Sequence, residues 1–107
     1  MANTFKNALA RNVGTSAVTV YTAPSSTTSI CIELDVCNTT ASGVTCDAYI
    51  TSGGNNYYIV KGTPVPVGGS LQIVAGQKIV LTDGDLLKVV SSVASSLDVI
   101  GSILEGV

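Results

Sequence analysis

Across residues 26–38 the sequence alternates with a period of two. Ile30, Ile32, Leu34 and Val36 fall on one side of an extended chain, and Glu33 and Asp35 on the other. Alternation of this length means a strand with one buried and one solvated face. After the turn-rich stretch 39–43 the pattern resumes, with Val44, Cys46, Ala48 and Ile50 on one side and Thr45, Asp47, Tyr49 and Thr51 on the other. The two segments are expected to form an antiparallel hairpin. Pairing Val36 with Val44, Leu34 with Cys46, Ile32 with Ala48 and Ile30 with Ile50 makes both apolar faces coincide. Cys46 then points inward while Cys31 and Cys37 share the polar face, so a disulfide between Cys37 and Cys46 would have to join opposite sides of the sheet. All three cysteines are expected to be plain thiols: their number is odd, and no His or CxxC spacing supports a metal site.

Further strands are signalled at 17–22, 57–61, 71–74, 78–81, 86–91 and 97–104, separated by Gly, Pro, Asn or Asp. Pro64 and Pro66 make 63–69 extended but poor at sheet pairing, as an edge or a crossing connection would be. A helix over 86–104 is the competing reading, with Leu87, Val90, Ala94 and Leu97 on one stripe. The β-branched residues and Ser91, Ser92, Ser95 and Ser96 favour two strands joined at 93–96 instead. The expected fold is all-β, an antiparallel β-sandwich of seven or eight strands, immunoglobulin-like or jelly-roll-like. Residues 1–15 lack a strong period yet carry Phe5 and Leu9, and are read as an N-terminal arm docking on a neighbouring subunit, with residues 16–107 as the sandwich domain.

Charged residues make up 11% of the chain and hydrophobic ones 46%, against roughly 25% charged in ordinary soluble domains. Such a surface solvates weakly. Ser, Thr and Gly nevertheless interrupt every apolar run well short of the roughly 18 residues of a membrane span, and no membrane partner is expected. The net charge is −2, and Lys6, Arg11, Lys61, Lys78 and Lys88 are scattered, which argues against nucleic-acid binding by phosphate neutralisation. The first residues lack the hydrophobic centre of a secretory signal, so synthesis in a cytoplasm is expected.

Little in the chain resembles catalytic equipment. With no histidine, the usual Ser-His-Asp and Cys-His arrangements cannot be built, and neither a GxxxxGK[ST] loop nor a GxGxxG fingerprint is present. Asp83 and Asp85 flank Gly84 and could begin a calcium site, but an Asp-Gly pair between strand signals reads first as a tight turn. Gly53 to Asn56 reads as another turn. Asp35 and Asp47 are expected on one hairpin face, solvated rather than catalytic. Tyr21, Tyr49, Tyr57 and Tyr58 read as strand packing, or as a sugar- or protein-binding surface to which Tyr57 and Tyr58 contribute an outward ring. Asn38-Thr39-Thr40 matches a glycosylation sequon and is read as chance. No catalytic residue, cofactor or metal is assigned.

The segments Phe5-Lys-Asn-Ala8, Asn12-Val-Gly-Thr-Ser16, Thr19-Val-Tyr-Thr-Ala-Pro24, Tyr58-Ile-Val-Lys61, Pro64-Val-Pro66, 78–85 and 97–105 together resemble a family of small β-sandwich virion proteins of tailed bacteriophages. The resemblance spans nearly the whole chain and rests on structural motifs. It implies a non-enzymatic virion structural protein, foremost a capsid decoration or cement protein that binds the major capsid protein. The alternatives are a tail, neck or fibre component, or a carbohydrate- or calcium-binding β-sandwich module. Self-association is expected because outer residues such as Ile100 and Leu104 need cover if Val99 and Ile103 face inward; a trimer is preferred by analogy with decoration proteins. Phe5, Leu9, Tyr57 and Tyr58 are the candidate interaction residues.

Overall fold

The computed structural model describes residues 4–106. Eight strands follow in chain order: β1 (Thr4–Val13), β2 (Val18–Thr22), β3 (Thr28–Asn38), β4 (Val44–Ser52), β5 (Asn55–Val65), β6 (Ser70–Thr82), β7 (Leu86–Ser91) and β8 (Leu97–Glu105). They form two four-stranded antiparallel sheets, ordered β1-β8-β3-β6 and β2-β7-β4-β5. This is the jelly-roll arrangement of eight strands in two facing sheets, so the all-β sandwich expected from the sequence is observed and the immunoglobulin-like alternative is not. Leu34, Val36, Val74, Leu81, Val99 and Ile103 from one sheet meet Cys46, Ala48, Val65, Leu87 and Val89 from the other in a fully buried aliphatic layer.

One serine pair and one asparagine fix the connections. The serine run between β7 and β8, which disfavours helix, closes a loop: buried Ser91 and Ser96 bond to each other through their hydroxyls, and Ser96 Oγ also reaches the Val93 carbonyl at 2.7 Å. At the end of β3, Asn38 turns inward. Its Nδ2 donates to the carbonyls of Ser42 at 2.8 Å and Val65 at 3.0 Å, and its Oδ1 accepts from Thr40 N at 2.9 Å. A side chain 2% exposed and bonded in this way holds the loop that carries the chain from one sheet to the other.

That loop corrects the expected β3–β4 hairpin. β3 pairs with β6 and β8, and β4 with β5 and β7, so the matching apolar faces of the two strands look at each other across the core instead of lying side by side. Asp35 and Asp47 are accordingly on different sheets. The hairpin in this region is β4–β5, turned by Gly53 and Gly54 at φ 59° and 82°, the positive values a two-residue turn requires. β5 lies at a sheet edge, where its Pro64 costs no ladder bond.

A second correction concerns β3 itself. The ladder slips between Cys31 and Glu33, a bulge that changes which side faces inward. Ser29 and Cys31 are buried before it, Leu34 and Val36 after it, and Ile30 and Ile32 are only half-buried. Cys31 therefore lies in the core and only Cys37 stays on the outer face; Cys46 points inward as expected, and all three are free thiols.

The third correction is at the start of the chain. Residues 4–13, expected as part of an arm over 1–15, form β1, paired with β8 from Thr4 opposite Glu105 to Val13 opposite Leu97. Ala8 and Val13 reach the core. Two small or medium inward residues in ten give too faint a period to announce a strand. Residues 1–3 lie outside the described residues.

Replacing Asn38 with Ala strands the Val65 carbonyl and the Thr40 amide without a partner. The expected loss is about 3 kcal/mol, read as a lower urea midpoint with unchanged slope.

Candidate protein-binding surface

Side chains that face away from the core divide into two surfaces of different character. On the outer face of β1-β8-β3-β6, an apolar row runs across all four strands: Phe5 lies opposite Leu104, Leu104 opposite Ile30, and Ile30 opposite Val80. Inward Ile103 and Cys31 are their chain neighbours, so strand alternation turns Leu104 and Ile30 outward. Phe5 is 77% exposed and Val80 58%. Further along the same face Leu9 lies opposite Ile100, and both are 60% exposed. As expected, Val99 and Ile103 face inward, while Ile100 and Leu104 face out.

Between these apolar rows sit two carboxylates of β3. Asp35 is flanked by Ile100 and Gln72 on the neighbouring strands, and Glu33 by Ser102 and Ala75. Asp35 Oδ1 is buried, and none of the described residues donates a hydrogen bond to it. Burial first, then the Glu33 carboxyl two residues away, pushes the Asp35 carboxyl up to about 6. Asp98 on β8 also lies at this surface, its Oδ1 accepting from Asn12 N at 3.1 Å, and Arg11 lines the same shallow groove beside Leu9 and Ile100.

The outer face of β2-β7-β4-β5 is aromatic and cationic at its centre. Thr19, Lys88, Tyr49 and Tyr58 stand opposite one another across the four strands. The Tyr49 and Tyr58 rings are 4.9 Å apart, and Lys61 Nζ sits 4.4 Å above the Tyr58 ring, a cation–π distance. Asp47 approaches Lys61 at 3.8 Å and accepts from Gly62 N. Tyr49 is covered while Tyr58 remains 46% exposed.

The four expected interaction residues are therefore not one site. Phe5 and Leu9 share the first face, Tyr58 belongs to the second, and Tyr57, paired with Ile50 rather than Tyr49, points to the opposite side of β5. Ile30 and Val80 were missed as outer residues, because the bulges in β3 and β6 shift the alternation on which the sequence reading relied.

Among the described residues, the other side chains considered for chemistry are engaged in the fold. Asp83 Oδ1 accepts from Ser26 N at 2.9 Å and Asp85 Oδ2 from Thr82 N at 2.9 Å, so both carboxylates of the Asp-Gly-Asp turn hold loop backbone. Burial pushes the Cys31 thiol up to about 11 and, with a further contribution from Asp47, the Cys46 thiol up to about 12, which makes both poor nucleophiles. Among the described residues no group of three metal-ligating side chains occurs.

These features define a jelly-roll β-sandwich with one apolar, acid-centred face and one aromatic, lysine-bearing face. No family model and no curated protein matches the sequence. Among solved structures, a subunit of Bacillus endospore appendages, described as a family of disulfide-linked pili, is similar at TM-score 0.58 and 11% identity, over 98% of this chain and 86% of that one. A mutant VP2 protein of infectious bursal disease virus, in derived T=1 particles, is similar at TM-score 0.58 and 14% identity, over 96% of this chain and 31% of that one. The Gx strain of the same virus gives TM-score 0.58 and 15% identity, over 96% of this chain and 32% of that one. The chain thus spans about a third of the viral protein's length, and the shared property is the fold.

Two measurements check the site. The raised Asp35 carboxyl favours the protonated folded state, so its contribution to stability is full below the unfolded value of 3.8 and lost as pH rises through about 6. The thermal midpoint in dilute solution is expected to rise between pH 7 and pH 5, and Asp35→Asn to flatten that rise and lift stability at pH 7. In a thiol titration, Cys37 alone is expected to react promptly in the native protein, with Cys31 and Cys46 following only in denaturant.

Proposed function

We propose that this chain is a non-enzymatic structural protein of a bacteriophage particle, specifically a decoration or cement protein that docks on the assembled shell and on other copies of itself. The observation that carries this reading is the outer face of β1-β8-β3-β6. Four large apolar side chains, Phe5, Leu9, Val80 and Ile100, are each more than half exposed there, and an apolar surface of this kind marks an interaction site. The rigid sheet beneath lets such a face dock without ordering a loop, which limits the entropy lost on binding. Many copies on a repeating shell then raise the effective affinity of a modest contact. The resemblance to phage virion proteins supplies the particle, and the major capsid protein is the shell partner it suggests. Three-fold association enters only by analogy with decoration proteins.

A tail, neck or fibre location is the second reading. It is favoured by the likeness to a pilus subunit over nearly the whole chain, since a jelly roll of this size can serve as a filament unit. Copy number separates the two: a decoration protein approaches the abundance of the shell protein, and a tail component does not.

Mass spectrometry of purified particles with copy counting is expected to find the protein at shell-like abundance, and its absence from particles overturns the proposal. Leu9→Asp together with Ile100→Asp is expected to lower incorporation tenfold or more, equivalent to about 1.4 kcal/mol of docking energy, while leaving the isolated protein folded.

A further inference from the structure

We propose that copies of this chain stack front to back, the outer face of β1-β8-β3-β6 of one copy seated on the outer face of β2-β7-β4-β5 of the next. The inference rests on the reading of the first face as a docking surface and names a second copy as its occupant. Three observations select that occupant.

The first is charge. At the centre of one face stand Glu33 and Asp35, with Asp98 on β8; at the centre of the other stand Lys88 and, beyond Tyr58, Lys61. Arg11 and the exposed Lys78 on the irregular stretch of β6 lie toward the margins of the acidic face, and Asp47 is the acid on the other. Pairing two acidic faces brings Glu33 and Asp35 of both copies together, and pairing two lysine faces opposes like charges in the same way; only the mixed contact matches signs. The second is the orphaned Asp35 Oδ1, buried on the apolar face with no donor among the described residues. A lysine ammonium, compact and strongly charged, is the counter-charge that such a half-buried carboxylate lacks within its own chain. The third is shape and composition. Both centres lie on sheets, and the exposed Tyr58 ring, packed over the covered Tyr49, gives the aliphatic rows an aromatic counterpart.

The smaller sheet, four strands ~4.8 Å apart and five to eleven residues long, presents roughly 500 Å², below the ~800 Å² per partner of a standard stable interface. The single contact is therefore modest. Because the two faces lie on opposite sides of one sandwich, the contact is heterologous and repeats without closing, which makes an open stack. A closed trimer requires contacting patches inclined toward one another, and the stack replaces it. The last copy in a stack leaves its acidic apolar face free for another partner.

Sedimentation velocity on the full chain at neutral pH tests this without any particle, so its failure leaves the virion assignment standing or falling on particle composition. Wild-type protein is expected to associate with increasing concentration, and less so as salt rises. Lys61→Glu with Lys88→Glu is expected to weaken association at least tenfold, and Glu33→Lys with Asp35→Lys to do the same. An equimolar mixture of the two double variants restores opposite charges at every contact and is expected to recover association. Circular dichroism melts confirm folding; should the lysine pair on β3 prevent it, Glu33→Gln with Asp35→Asn is expected to weaken association alone. A wild-type chain that stays monomeric at millimolar concentration overturns the proposal. So do double variants that associate like wild type, a mixture no better than its components, or association strengthened when Glu33 and Asp35 are neutralised.

Discussion

A two-sheet sandwich can hide only one face of each strand, and the aliphatic residues of this chain exceed the places so created. The gap between the sheets is filled by leucine, isoleucine and valine; the largest fully buried side chains are Leu34, Leu81, Leu87, Leu97 and Ile103, and no aromatic ring is among them. At a sheet separation of ~10 Å, such side chains interdigitate without bulky rings. Polar groups at the margins hold the two layers in register. Tyr21 of β2 reaches across to Glu105 of β8 and to Ser29 Oγ at 2.8 Å, and Lys6 adds an ion pair to Glu105 at 2.9 Å. Both partners stabilise the Glu105 carboxylate and hold its proton affinity below the usual value, the Tyr21 hydroxyl most. With the interior complete, Phe5, Leu9, Val80 and Ile100 are left outside.

Fold class was legible because alternation and turn residues are local. The Gly53-Gly54 turn, the two separate strands expected at 86–91 and 97–104, and the edge position of the proline segment all follow from residues close together in the chain. Sheet membership was not local. β3 and β4 carry matching apolar periods and a five-residue connection, features that suit neighbours in one sheet and facing strands in two equally well. What separates the cases is Asn38, whose buried amide bonds Val65 from β5, a contact between residues far apart in sequence. The bulge near Ile32 and the faint period of β1 hid the composition of the outer face in the same way. Leu9 and Phe5 were recognisable as apolar residues needing cover, but their alignment with Ile100, and with Leu104, Ile30 and Val80, depends on β8 lying between β1 and β3.

The raised Asp35 carboxyl and the exposed leucine and isoleucine nearby are two signs of one local condition. A carboxylate set between Ile100, Gln72 and a second carboxylate loses hydration it does not recover from the described residues, and a residue of that kind is costly on a face meant only for water. Glu33 and Asp35 also keep identical faces from pairing at neutral pH, a form of discrimination that a wholly aliphatic sheet would lack.

Association through faces also agrees with how the sheet edges are finished. An unpaired edge strand is the usual route to unwanted assembly, and each edge here is interrupted. β5 carries Pro64 and a positive φ at Gly62; β6 breaks its run at Gly76 and Lys78, both with positive φ; β2 has five residues; and β1 is kinked at Asn12, φ 55°. Lys6 and Arg11 add charge along β1. Backbone groups at these edges are poorly arrayed to accept a long strand from another molecule. The strands at the centres of the outer faces, which carry Ile100, Asp35, Lys88 and Tyr49, are paired on both sides within their sheets. A chain that breaks its edges and leaves apolar, oppositely charged faces open directs assembly toward stacking of sheets and away from extension of them.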